Sequence, residues 1–159
     1  MSKIHLETLD KSRLEAFQNL SPFKKYGYLA GGTALSLQIT HRKSFDFDVF
    51  VKRQIDNKLK LATNPLIKTE FLDLASVADI SADKAITIGR RAVWRDYVDF
   101  FVLLKEKYYG ITEIINFAKK KFKGEFNEAL FLQQLTYFKD VEEAPIAVGK
   151  LIYRMFHSL

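Results

Sequence analysis

Asp46 and Asp48 stand one residue apart in the run Phe45-Asp46-Phe47-Asp48-Val49-Phe50-Val51, and a Gly31-Gly32-Thr33 turn lies shortly ahead of them. The run is rich in aromatic and β-branched residues and predicts a strand over 45–51. Strand side chains alternate faces, which puts both aspartates and Phe50 on one face and Phe45, Phe47, Val49 and Val51 on the other. Like charges this close repel unless a cation lies between them or water surrounds them. Carboxylate oxygens suit Mg²⁺, which usually keeps several waters and takes one or two carboxylates plus substrate phosphates. A solvated acidic edge strand asks for the same residues, and the pair taken alone favours that simpler reading.

The turn adds a second chemistry. Tyr26 to Ala30 predicts a short strand, and Gly31 and Gly32 allow an approach to the backbone that a side chain would block. Thr33 is a suitable N-cap for a helix continuing through Ala34 to Ile39. A helix N-terminus offers free N–H groups and a positive dipole end, hence an anion site. The spacing matches neither the phosphate loop nor the Gly-x-Gly-x-x-Gly fingerprint, and a plain strand-turn-helix connection would look similar. Together, a turn for a triphosphate and two aspartates for metal are what nucleotidyl transfer needs. In two-metal sites the ions sit roughly 3.5–4 Å apart and clamp the attacking and leaving oxygens.

A second group of charges follows: Lys84, Arg90, Arg91 and Arg95, with Asp96 and Asp99 three apart on an expected helix. The cations suit a triphosphate, the arginines with bidentate geometry. The carboxylates could complete a metal site or accept a proton. Spacing alone favours ion pairs within the group.

The elements that must position these residues read as mixed α/β, then all helical. Helix is expected at 8–19, then strand, turn and helix over 26–41, and the acidic strand. A short polar helix over 53–61 stops at Thr63-Asn64-Pro65, and 67–74 predicts another strand. Helices follow at 75–88, ended by Gly89, and at 94–107. Further helices are expected at 113–122, capped by Thr112, at 128–138, capped by Asn127, and from Pro145 to about 157. The expectation is one domain over 1–159, with a core over 1–107 and a helical region over 108–159. Lys119-Lys120-Lys121 reads as a solvated C-terminal turn, with an RNA backbone contact as its alternative. Phe117, Phe122 and Phe126 read as core.

Composition sets bounds. With 159 residues, 48% of them apolar, the chain can bury a core. It has no cysteine, which excludes disulfides, thiolate metal sites and cysteine nucleophiles, and its three histidines have no metal-ligand spacing. No apolar run spans a bilayer and no signal peptide is evident, so a cytoplasmic protein without a membrane partner is expected. A net charge of +6 gives mild support to a nucleotide or RNA partner.

Gly31-Gly32-Thr33-Ala34-Leu35, Arg42, Ser44-Phe45-Asp46-Phe47-Asp48, Lys84, Arg90 or Arg91, and Arg95-Asp96-Tyr97-Val98-Asp99-Phe100 together resemble the AbiEii-type nucleotidyltransferases. These are toxins of type IV toxin–antitoxin and abortive-infection systems, within the DNA polymerase β-like superfamily. The resemblance implies an α+β fold, a small mixed sheet flanked by helices and followed by a C-terminal helical region. It implies that Gly31, Gly32 and Thr33 hold the triphosphate with Lys84, Arg90 and Arg91, and that Asp46 and Asp48 bind Mg²⁺. Asp99, rather than Asp96, would match the acidic residue of the family's last motif. The implied activity is nucleotide transfer from an NTP to RNA such as tRNA, with a cognate antitoxin as protein partner. The family often draws a third carboxylate from the stretch between Asp48 and Lys84, where only Glu70 and Asp73 are available. A non-catalytic module binding nucleotide, RNA or protein is the alternative.

Overall fold

The computed structural model describes residues 3–53, 60–91, 93–137 and 139. It is an α+β protein with six α-helices and one two-stranded antiparallel sheet among the described residues. The described chain forms two compact units, one up to Val77 and one from Ala78 onward.

The first unit is built on the sheet. α1 (Lys11–Gln18) is capped by Asp10, whose carboxylate accepts from the Arg13 N–H. β1 (Gly27–Ala30) is buried throughout and runs directly into α2 (Gly31–Ile39). β2 (Asp48–Val51) pairs with it in the register Gly27↔Val51 to Ala30↔Asp48. On the other side of β1, Leu29 bridges Leu74 in parallel, and Ile67 exchanges hydrogen bonds with Leu74. The strand expected over 67–74 is therefore two isolated bridges with a bend between them, because Lys68 to Asp73 turn the chain back on itself. Phe17, Leu29, Leu35, Leu37, Leu72 and Leu74 fill the core. The helix expected over 53–61 falls largely outside the described residues.

The second unit is helical: α3 (Val77–Arg90), α4 (Trp94–Lys105), α5 (Ile111–Phe122) and α6 (Glu128–Gln134). Its core takes Ala82, Ala85 and Ile88 from α3, Phe100 from α4, Ile114 and Ala118 from α5, and Phe131 from α6. Gly89 does not end α3 as expected. It lies inside the helix, facing the Phe131 backbone at a distance (3.6 Å to a Cβ) that an alanine would also fit. α5 starts at Ile111, with the Gly110 N–H donating to Glu113, so Thr112 is not its cap. Asn127 caps α6 as expected, its side chain accepting from the Leu130 N–H. The expected helix from Pro145 lies outside the described residues. No helix among the described residues is long and apolar enough to cross a membrane.

Candidate functional site

The sheet register brings the acidic pair to the glycine turn. Asp48 lies opposite Ala30, the last residue before α2, and Gly31 adopts φ +68°. A Cβ on Gly31 would fall 2.1 Å from Asp48 Oδ2, so the carboxylate rests against bare glycine backbone. A Cβ on Gly32 would fall 2.6 Å from Arg42 Nη2 and 2.9 Å from Ser44 Oγ. A carboxylate, a guanidinium and a hydroxyl thus close over the first turn of α2, in space that two missing side chains leave open. Ala30, the N-cap, offers that turn no side-chain acceptor.

Two local expectations change. Thr33 is not the N-cap: it is a buried residue inside α2, and its hydroxyl donates to the Asp46 carbonyl at 2.5 Å. It ties the acidic segment to the helix, while its N–H belongs to the open first turn. The strand also starts at Asp48 rather than Phe45, so Asp46 precedes it. Both carboxylates are nevertheless exposed, because Phe47 between them turns inward and stacks on Phe17 at 5.9 Å. Ahead of them, Arg13 donates to the Ser44 carbonyl at 2.7 Å and covers the Phe45 ring at 4.3 Å.

Arg42 went unassigned to phosphate in the sequence, yet its guanidinium is the cation beside the glycines. It is 5% exposed and donates to the Lys43 carbonyl, and Ser36 accepts it into place by donating to the Arg42 carbonyl at 2.5 Å. Its place in the Arg-x-Ser-x-Asp-x-Asp spacing was the available signal.

Asp73 is not available as a third metal carboxylate. It is buried and ringed by three ammonium groups, Lys68 at 2.7 Å, Lys52 at 3.6 Å and Lys24 at 3.8 Å. Burial raises its pKa, but the lysines outweigh that and hold it below the usual value. Glu70 is exposed and outside any regular element. No group of three His, Asp or Glu converges among the described residues. A divalent ion held by Asp46 and Asp48 would draw its other ligands from phosphate and water, as Mg²⁺ commonly does.

Lys84, Asp96 and Asp99 belong to the second unit, where the expected pairing occurs. Lys84 Nζ lies 2.5 Å from Asp96 Oδ1 and 2.7 Å from Asp99 Oδ2. Burial pushes the ammonium down, and the two carboxylates more than restore it, so its pKa is raised. A phosphate approaching Lys84 would compete with both. Arg90 is exposed and lies 3.5 Å from Glu125, and Arg91 is exposed.

Lys121 corrects the reading of the lysine run. It is buried, with Nζ 2.7 Å from Asp83 Oδ1 and 3.4 Å from Asp79 Oδ1. Lys119 meets Glu128 at 2.5 Å and Lys120 faces solvent. The sequence carried the signal, since Lys121 follows Ile114 and Ala118 at helical spacing on the buried stripe of α5. Burial pushes the Asp83 carboxyl up to about 6 against the pull of Lys121, with Asp79 adding to the rise. A carboxyl raised above its ordinary 3.8 contributes stability that is present below pH 3.8 and lost as pH passes 6. Between pH 4 and 7 the stability difference between Asp83→Asn and wild type should therefore move in the variant's favour, by about 2–3 kcal/mol. Denaturant melts of both proteins at each pH check this, and a pH-independent difference would contradict it.

No family model matches the chain, and no solved structure matches it. It is similar to an uncharacterized protein of Aquifex aeolicus (strain VF5), 26% identical over 156 residues that cover 73% of this chain and 75% of that protein. That relative has no described activity, so the reading of function rests on the residues themselves.

Proposed function

We propose that this chain is a Mg²⁺-dependent nucleotidyltransferase of the AbiEii kind that its motifs resemble, transferring a nucleotide from an NTP to RNA such as tRNA. In this reading it acts as a growth-arresting toxin in the cytoplasm, opposed by an antitoxin protein. The observation that carries the reading is the Asp48 carboxylate lying against Gly31 where α2 begins. Metal-binding and phosphate-binding chemistry meet there within one turn of chain.

The first-turn N–H groups of α2 and the Arg42 guanidinium take the triphosphate oxygens. Asp46 and Asp48 would hold Mg²⁺, which when bound would supply charge neutralisation at the phosphates. An acceptor hydroxyl attacks the α-phosphorus in line, and pyrophosphate leaves. Positioning and electrostatics supply most of the acceleration, as in other phosphoryl transfers. The resemblance gives Lys84, Arg90 and Arg91 of the second unit a nucleotide-binding role and Asp99 an acidic one.

The test is incubation with each labelled NTP, Mg²⁺ and total RNA. Wild type should label an RNA, and Asp48→Ala should lower the rate roughly 10²-fold or more. Equal transfer by the variant would overturn the reading. The mutual pairing of Lys84 with Asp99, and of Asp73 with three lysines, favours one alternative, a non-catalytic binding module. NTP binding in calorimetry without turnover over a broad RNA panel would select it.

A further inference from the structure

The three lysines around Asp73 have a use besides burying a carboxylate. One negative charge organises three ammonium groups, leaving a surplus of two positive charges at a fixed place. The lysines are held by more than Asp73. Lys24 Nζ donates to the Thr69 and Glu70 carbonyls, and Lys52 Nζ donates to the Lys24 carbonyl at 2.6 Å. Lys68 keeps 72% of its side chain in water.

Exposed aromatic rings stand in the same segment. Tyr26 is 63% exposed and Phe23 is 53% exposed, flanking Lys24 and Lys25 in the chain. Lys25 Nζ sits 5.6 Å from the centre of the Tyr26 ring. The Tyr26 carbonyl accepts from the Lys52 N–H at 2.7 Å, which fixes the tyrosine beside the lysine group. Exposed rings beside fixed cations offer stacking faces that unpaired bases use directly. Ammonium groups for phosphates beside rings for bases form the common platform for single-stranded nucleic acid. A duplex hides its base faces and would leave the rings unused.

We infer that Tyr26 and Phe23, with Lys25 over the Tyr26 ring and Lys24, Lys52 and Lys68 organised around Asp73, form a docking surface for single-stranded RNA. The surface is separate from the turn at Asp48. It lies at the other end of the β1–β2 ladder, about 10 Å away along the strands, since Asp48 pairs with Ala30 and Val51 with Gly27. The choice of RNA over DNA rests on the acceptor in the proposed function, while the surface itself does not depend on transfer.

The experiment is fluorescence anisotropy of a labelled single-stranded RNA of about 12 nucleotides, without NTP or Mg²⁺. Wild type should bind with log K falling against log salt at a slope of about −2, the value for roughly three phosphate contacts on a single strand. Tyr26→Ala should bind about tenfold more weakly, and Tyr26→Phe within about twofold of wild type. The double variant Lys25→Ala/Lys68→Ala should flatten the slope by about 1. Circular dichroism should show each variant folded like wild type. Absence of binding, equal affinity of Tyr26→Ala and wild type, or a Tyr26→Phe as weak as Tyr26→Ala would overturn the inference. So would equal or tighter binding of single-stranded DNA or duplex RNA. Because NTP is absent, this failure is distinct from failure of label transfer by wild type.

Discussion

Lys84→Met is expected to cost the second unit about 3–5 kcal/mol, enough to unfold much of it at ordinary temperature. The ammonium is shared by Asp96, which is 5% exposed, and Asp99, which is fully buried. Removing it leaves two buried carboxylates facing each other with no counter-ion. They would take up protons or draw in water, and either disturbs the seam where α3 meets α4. The triple variant Lys84→Met/Asp96→Asn/Asp99→Asn removes all three charges and should recover most of the loss, since a buried ion group often exchanges for neutral residues at little net cost. Denaturant unfolding of wild type, single and triple variants measures both effects. A single variant as stable as wild type would show that the pairing carries no stability. The triple variant also separates roles: a folded protein without NTP transfer assigns Lys84, Asp96 or Asp99 to the chemistry, and full transfer confines them to the brace.

Gly31→Ala should damage both fold and function in the first unit. Gly31 sits at φ +68°, where an L-residue pays about 1–2 kcal/mol. The new Cβ would also fall 2.1 Å from Asp48 Oδ2, so the carboxylate must leave the turn. Moving a reacting group by about 1 Å can cost 10²-fold in rate, and a loss of roughly that size is expected in NTP transfer. Gly32→Ala meets only the side-chain ends of Arg42 and Ser44, at an ordinary φ, and should be milder in stability. It should weaken NTP affinity by displacing the guanidinium. Unfolding midpoints and calorimetric NTP titrations of the two variants test the contrast. A Gly31→Ala protein with wild-type affinity and transfer would remove the turn from the site.

Residue type and local spacing decided much of this. The exposure of Asp46 and Asp48 follows from Phe47 between them, and the helix expected through Ala34 to Ile39 forms, with the glycine pair as its first two residues. Asn127 caps α6 because its side chain reaches the Leu130 N–H wherever the helix lies. That Asp96 and Asp99 pair within their own charge group was legible from spacing, while the choice of Lys84 over Arg90 or Arg91 was not.

Other features depended on partners far along the chain. Thr33 has the chemistry of a cap, but the Asp46 carbonyl thirteen residues on claimed its hydroxyl. Gly89 looks like a stop until Phe131 packs on it. Asp73 looks like a metal ligand until lysines from three separate segments surround it. Lys121 looks solvated until the stripe on α5 meets α3. The sequence alone pointed to the groups suited to phosphate and metal and to most of the helical segments, because those depend on side-chain type and near neighbours. Only the tertiary structure decided that Asp48 and Arg42 close on the glycine turn and that Asp73 and Lys121 are buried in ion groups. Charge partners are set by residues distant in sequence, and a local pattern such as the α5 stripe shows at most that a residue is buried, not what it pairs with.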